Sequence, residues 1–360
     1  MDAVGPRPSA VSLVVPVRDE ETSLSALIES IRSQTRLPEE VLLVDGGSID
    51  RTVDLAAELI AGDERFRVVR AGEATPGRGR NVGIAAARHD WIALTDAGIR
   101  LEPTWLERLL EVVEARPNVS VVYGNFEPIT SRPFEQWAAL AYPPPKRLTP
   151  GGEMRDPSVA SVLLRREVHT AVGGFPDLRA AEDRIFLERI DECGFEVGWA
   201  PNATVWWQLQ PTLGRTFLKF VVYSKQNVRA GRQRYWHYGV ARQYLAGLVC
   251  VGLAIAVNPA WMAVPFFGAL ARVGKNIWAR REGRSVRWLL NPVQFVGVGV
   301  LLATIDCATF LGWAQALIDR KGAARAAPFV ESPCGAGSGP STRQDEPCIL
   351  LEMPTAAESR

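Results

Sequence analysis

The run Val41-Leu42-Leu43-Val44-Asp45-Gly46-Gly47-Ser48 is apolar until it stops on a carboxylate, two glycines and a serine. An apolar run this short, closed by a turn signal, reads as a strand buried on both faces, as in parallel sheets, with Asp45 delivered to its carboxyl end. Open α/β sheets bind ligands at that end. Two further runs share the design. Val11 to Val17 leads into Arg18-Asp19-Glu20-Glu21, and Trp91-Ile92-Ala93-Leu94-Thr95 stops on Asp96-Ala97-Gly98. Three strands therefore set acidic groups along one edge.

The intervening segments carry helical spacing. Leu24, Leu27, Ile28 and Ile31 share one stripe; Val53, Ala56, Ala57 and Ile60 share another, with Asp50 as the expected N-cap. Phe66 to Arg70 reads as a third strand, followed by a Gly-rich turn and a helix around Val82 to Ala87. Pro103 opens a helix whose Leu106, Leu109, Leu110 and Val113 face one way, and Val119 to Tyr123 and Val159 to Leu164 are further strands. This alternation predicts an α/β fold, a mostly parallel sheet covered on both sides by helices. From Asn125 to Pro157 periodicity is lost around Pro143-Pro144-Pro145, which predicts a functional loop.

At 360 residues and 47% hydrophobic content the chain can bury a sizeable core, which excludes a disordered protein. Its scattered cysteines form no Cys-x-x-Cys pair, so no zinc site is expected. A net charge of +1 gives no reason to expect nucleic acid. The bases are nevertheless concentrated: Arg215, Lys219, Lys225, Arg229, Arg232, Arg234 and Arg242 lie in a stretch without an acid, interleaved with aromatic residues. Such a segment suits the surface of an anionic leaflet. Tyr244 to Ala271 then carries no charge, and Trp288 to Ile318 carries only Asp306. Both are long enough for membrane insertion at roughly 20 residues per span. The loop after the first is basic too, so both of its ends belong on the cytoplasmic side, and Asn258-Pro259 near its middle predicts a re-entrant or interfacial hairpin. Its halves are each too short to cross about 30 Å of hydrocarbon, which leaves Trp288 to Ile318 as the expected true span. Met1 to Ala10 has no apolar core following positive charges, so no secretory signal is expected there.

Val-Pro-Val-Arg-Asp-Glu-Glu after the first strand, Val-Asp-Gly-Gly-Ser-Ile-Asp-Arg-Thr after the second, Asp96-Ala97-Gly98 and Glu182-Asp183 occur in that order. Together they resemble a family 2 glycosyltransferase with a GT-A nucleotide-sugar-binding sheet, over Val11 to about Arg234. The resemblance implies an enzyme that inverts the anomeric centre as it moves a sugar from a nucleotide donor, most commonly of UDP type, to an acceptor. Asp183 matches the family's catalytic base and Asp45 its contact to the nucleobase. Asp96 stands where an Asp-x-Asp motif holds Mg²⁺ or Mn²⁺, but Gly98 replaces the second carboxylate. The donor-binding set expected on these grounds is Pro16, Arg18, Asp19, Asp45, Arg78, Arg80, Asn81 and Asp96, with Asp96 also the metal ligand.

Each motif has a plainer meaning as well. Asp45-Gly46-Gly47-Ser48 and Asp96-Ala97-Gly98 suit tight turns, and Glu182-Asp183 suits a helix N-terminus. Gly77-Arg78-Gly79-Arg80-Asn81-Val82-Gly83 follows the third strand rather than the first, which argues against a dinucleotide fingerprint and for a loop facing phosphate or base, or a solvated basic turn. Glu182, Trp207, Gln226 and Arg229 are expected on the acceptor side; Gln226-Asn227-Val228-Arg229-Ala230 resembles the Gln-x-x-Arg-Trp of processive synthases except at Ala230, which favours one sugar per binding event.

The expected organisation is an N-terminal extension (1–10), a GT-A domain (11–214), a basic interfacial segment (215–243), membrane-associated hydrophobic helices (244–321) and a disordered tail (322–360). The expected location is the cell membrane with the catalytic domain cytoplasmic, and the expected acceptor is lipid-linked or a polysaccharide precursor. The rivals are a polyprenyl-phosphate glycosyltransferase and a catalytically silent nucleotide-sugar-binding membrane protein.

Overall fold

A computed structural model of the chain describes residues 10–319. The expected extension before residue 10 and the tail from 322 lie outside the described residues. The described chain forms two compact units, residues 10–127 with 147–208 and residues 128–146 with 209–319.

The first unit runs β1 (Val11–Val17), α1 (Leu24–Arg32), β2 (Glu40–Asp45), α2 (Thr52–Ile60), β3 (Phe66–Arg70), α3 (Pro76–Ala86), β4 (Trp91–Leu94), β5 (Ile99–Leu101), α4 (Trp105–Ala115) and β6 (Val121–Pro128). The chain then supplies α5 (Pro133–Ala141) to the second unit and returns as β7 (Arg147–Thr149), β8 (Gly152–Met154), β9 (Val162–Arg165), α6 (Arg166–Ala171), α7 (Glu182–Glu192) and β10 (Val197–Trp207). The segment from Asn125 to Pro157 is thus no irregular loop. Its prolines frame a short helix and the antiparallel β7–β8 ribbon.

Eight strands form one sheet in the order β3-β2-β1-β4-β9-β6-β10-β5. It is parallel through β3, β2, β1 and β4, then antiparallel from β4 to β9 and from β9 to β6. The parallel half explains the unbroken apolar runs: both faces of β2 are covered, and its residues are all buried. One core packs Leu13, Leu43 and Phe126 with Leu27 of α1 and Trp105 of α4; the other packs Val14, Leu42 and Tyr123 with Ile84 of α3 and Phe186 of α7. Each such side chain contributes about 1.5–3 kcal/mol by leaving water.

Helix α3 begins earlier than its sequence suggests. Thr75 caps it, its Oγ1 accepting from the Arg78 N–H at 3.2 Å, and Pro76 needs no intrahelical donor at the first position. The glycines that look like a loop let this helix approach the sheet. A Cβ at Gly83 would overlap Val14 and Val44, and one at Gly77 would meet the Pro176 carbonyl oxygen at 2.6 Å.

The second unit comprises α5, α8 (Leu213–Arg229), α9 (His237–Ala256), α10 (Ala263–Ala279), α11 (Val286–Leu289) and α12 (Pro292–Asp319). Gly312 lets α12 close on Val221 and Ser224 of α8, and Gly297 seats Trp137 of α5. The Ser224 hydroxyl donates to the Thr309 carbonyl at 2.7 Å and lies 2.8 Å from His237 Nε2. Helices α9 and α10 turn back on each other through Asn258-Pro259, where Asn258 Oδ1 accepts from the Ala260 N–H at 2.8 Å. The chain turns at Asn258-Pro259 as expected, but the arms are longer than the uncharged run implies, because the helices extend into the flanking basic residues, so the expectation that each half is too short to cross is corrected for α9. Twenty and 17 residues correspond to roughly 30 and 26 Å at a helical rise. Among the described residues, α9 and α12 are long and apolar enough to cross a membrane.

Candidate functional site

The carboxyl ends of β1 and β2 are in register, Val17 beside Asp45, and the loops that follow clasp each other. Asp45 Oδ1 accepts from the Ser48 N–H at 2.9 Å, which closes the turn after β2 around Gly47, whose φ of 86° suits glycine. Asp19 sits in the left-handed region at φ 55°; its N–H donates to Ser48 Oγ at 3.1 Å and its Oδ1 accepts from the Ile49 N–H at 2.8 Å. One oxygen of each aspartate therefore serves the turn. The other oxygen of the buried Asp45 takes no hydrogen bond among the described residues and is available to a donor base or ribose. Arg18 and Arg78 are exposed, while Pro16 is half-buried in β1 and underlies α3 at Gly79.

Arg80 organises the centre. It is buried within α3, with Nη2 2.5 Å from Asp96 Oδ1, Nη1 3.3 Å from Glu182 Oε1, and its guanidinium over the Phe175 ring. Its Nε is buried without a hydrogen-bond partner among the described residues. Burial pulls its pKa down, but the charges of Asp96 and Glu182 outweigh that and the net direction is up, so Arg80 is a fixed cation. The expected open phosphate-facing loop is corrected by this placement: Arg80 reaches the site from inside a helix, as the bridge between two acids.

Asn81, expected on the donor, does something else. Its Nδ2 donates to the Phe175 carbonyl at 2.8 Å and its Oδ1 accepts from the Phe175 N–H at 2.9 Å, so both ends of the amide fix the loop before α7. That loop ends at Ala181, whose φ of 72° is uncommon for a residue with a Cβ, and it presents Glu182 and Asp183 at the first turn of α7. Glu182 is buried and Asp183 half-buried. Burial and the neighbouring Asp183 push the Glu182 carboxyl up to about 7, with Arg80 opposing. Asp183 Oδ1 accepts from the Arg184 N–H at 2.7 Å. Its other oxygen has no partner among the described residues.

Glu20 is an acid the sequence reading did not assign. Burial pushes its carboxyl up, the Ser23 hydroxyl opposes, and the charges of Asp96, Asp50 and Asp19 add to the rise. The influence of Asp96 puts it on the same edge. Its signal was present in Asp19-Glu20-Glu21, where three consecutive acids hid which one turns inward.

No group of three or more metal-ligating side chains occurs among the described residues. Asp96 Oδ1 is held by Arg80, which leaves Oδ2 of a carboxylate that is 40% exposed. Gly98 adds nothing, and a Cβ there would meet no atom within 4 Å. This donor set fits Mg²⁺ or Mn²⁺ only as a single-carboxylate site completed by diphosphate oxygens and water, which such ions accept.

The expected acceptor-side residues are divided between the two units, Glu182 and Trp207 in the first. Trp207 packs edge-on against Phe126 on the core side of β10, while Trp206 is the outward indole. Gln226 and Arg229 belong to α8 in the second unit, where Arg229 pairs with Asp319 at 2.7 Å.

A half-parallel sheet that delivers Asp19, Asp45 and Asp96 to one edge, with an acidic pair bridged to it by a buried arginine, defines a GT-A type fold. Residues 12–173 match the family described as Glycosyl transferase family 2. Over that stretch the chain is similar to glycosyltransferase family 2. Among curated proteins it is 40% identical over 101 residues to the putative glycosyltransferase EpsH of Bacillus subtilis (strain 168), a match covering 28% of this chain and 29% of EpsH. The chain thus spans less than a third of that relative. It is 25% identical over 284 residues to the succinoglycan biosynthesis protein ExoA of Rhizobium meliloti (strain 1021), covering 74% of this chain and 84% of ExoA. Among solved structures, S. aureus TarS 1-349 in complex with UDP aligns over 90% of this chain and 95% of its own at 16% identity, with a TM-score of 0.44.

Proposed function

We propose that the chain is an inverting glycosyltransferase that passes one sugar from a nucleotide-sugar donor to a lipid-linked or polysaccharide-precursor acceptor at the cytoplasmic face of the membrane. The observation that carries this reading is the bridge Asp96–Arg80–Glu182, which ties the strand end suited to a donor diphosphate to the helix end suited to an acceptor hydroxyl.

Asp45 and Asp19 hold base and ribose. Arg80 supports the diphosphate end of the donor through Asp96, and the exposed Arg78 and Arg18 add positive charge at its rim. A divalent ion bound at Asp96, when present, offsets charge gathering on the leaving diphosphate. Asp183 takes the acceptor proton as the oxygen attacks the anomeric carbon from the side opposite the leaving group, which inverts that centre. Membrane residence is supported by the length and apolarity of α9 and α12 and by the bases that flank the hairpin.

The test is turnover of a panel of nucleotide sugars, UDP sugars first, by the protein in native membranes, compared with Asp183→Asn. The variant is expected to bind donor normally and to lose about 10²–10⁴-fold in transfer, the usual cost of a missing general base. Wild-type transfer by the variant refutes the role of Asp183, and no turnover or binding of any donor by the wild type refutes the transferase reading.

A further inference from the structure

Strand β10 ends with a strict alternation. Ala203 and Val205 are buried and Trp207 packs on the same core, so Asn202, Thr204 and Trp206 face the other way. Across the antiparallel pair with β5, Trp206 stands opposite Arg100, and the Glu102 N–H donates to the Thr204 carbonyl at 3.1 Å, which continues the ladder by one step. The Trp206 indole N–H donates to Glu102 Oε2 at 2.7 Å. That bond fixes the ring while leaving the residue 39% exposed. With Thr104 and Arg108 of α4 and Glu127 of β6, the residues Glu102, Thr204 and Trp206 line an open cavity of about 390 Å³, within the ~300–1,000 Å³ of small-molecule sites. The Thr104 hydroxyl and the Asn202 amide take no internal partner among the described residues.

An indole held rigid by its own N–H offers a flat apolar surface, and a ring of hydroxyl, amide and carboxylate groups around it both donates and accepts hydrogen bonds. A pyranose presents the complement: one face of C–H groups and a rim of hydroxyls. The lining carries charges of both signs, Glu102 and Glu127 against Arg108, and Glu127 is already paired with Arg155 at 2.9 Å, so the cavity presents no single-sign field that would select a charged ligand. On β6, Val122 and Phe126 point to the core beneath α1 and α4, whereas Val121 and Tyr123 point to the core that includes Phe186 of α7. Glu127 continues the second set, while Thr104 and Arg108 come from α4 on the other face. Glu102 directly follows β5, which begins at Ile99, three residues after Asp96.

We propose that this cavity binds a neutral hexose unit of a glycan acceptor, a unit other than the one that receives the new sugar. The inference rests on the transferase reading for its biological meaning, but not for its test. The protein in detergent is examined by saturation-transfer NMR with three trisaccharides, cellotriose, maltotriose and laminaritriose, and by thermal stabilisation with a panel of nucleotide sugars. At least one trisaccharide is expected to contact the wild type, to bind Trp206→Ala about tenfold more weakly, and to be largely restored in Trp206→Phe, with the stabilisation by donor unchanged in both variants. Contact of equal strength with Trp206→Ala, or no contact of any trisaccharide with the wild type at millimolar concentration, overturns the proposal. Absence of stabilisation of the wild type by any nucleotide sugar strikes instead at the transferase reading, while the NMR result still decides the cavity.

Discussion

Replacing Glu182 by glutamine should stabilise the protein above neutral pH and leave it nearly unchanged in acid. The folded-state carboxyl is raised from 4.5 to about 7 by burial and by Asp183, against the pull of Arg80. Below the lower value it is protonated whether the chain is folded or not. As pH rises, the unfolded chain releases this proton first, so the unfolded state gains and stability falls until the folded group also ionises near 7. At about 1.4 kcal/mol per unit the shift corresponds to roughly 3 kcal/mol of stability lost between acid and mildly alkaline solution. Glu182→Gln keeps an oxygen acceptor for Arg80 and removes the titration. Thermal unfolding of wild type and variant in parallel from pH 4 to pH 8.5 therefore should give midpoints that diverge by several degrees in favour of the variant as pH rises. A difference that stays constant with pH refutes the burial argument. A variant that loses ground with rising pH shows that the charged pair with Arg80 outweighs burial.

Two other outcomes test the site and the second unit. Gly98→Asp places a second carboxylate where nothing obstructs a Cβ, so it should fold normally and lower the Mg²⁺ or Mn²⁺ concentration that supports half-maximal turnover; an unchanged metal dependence shows that position 98 does not face the diphosphate. A hairpin of α9 and α10 held at the cytoplasmic face, as proposed, would keep both of its ends on that side, so Ser285→Cys in a cysteine-free background should resist a membrane-impermeant thiol reagent in intact cells and react after lysis. Labelling in intact cells refutes that topology.

The parallel half of the sheet was legible because its strands are buried on both faces and end on unmistakable turn chemistry, as Val41 to Ser48 shows. Helix α3 was not. Its glycines mimic a loop, and only the three-dimensional approach to Val14, Val44 and Pro176 gives them their reason. The antiparallel half was also hidden, since the partners of β9 and β10 lie far away in sequence and no local pattern states their direction. Helix α5 lay behind prolines that read as loop markers. In α12, Asp306 looked like a blemish in an apolar run. It is buried and accepts both Arg272 nitrogens and the Tyr244 hydroxyl, the last at 2.9 Å, so that one carboxylate ties three helices together.

The candidate site divides along the same line. Asp45, Asp96 and Asp183 stand at the ends of elements, where sequence order alone places them, and the structure leaves each with an oxygen available. Arg80 and Asn81 sit inside a helix, and their roles depend on what lies across from them. Adjacent in sequence, they point to different tasks: Asn81 fixes the Phe175 backbone, and Arg80 joins Asp96 to Glu182. That bridge also bears on the missing carboxylate at position 98. Arg80 is already balanced by Asp96, with Glu182 beside it, so it brings little surplus positive charge to a donor diphosphate, while Asp19 adds further negative charge at the same edge. A diphosphate entering this acidic rim needs cations that are not already committed. Arg18 already lies 3.8 Å from Asp19, so among the described residues near the motifs such cations include the exposed Arg78 and whatever ion Asp96 Oδ2 can hold. Charge balance therefore favours a divalent ion even with a single carboxylate to hold it.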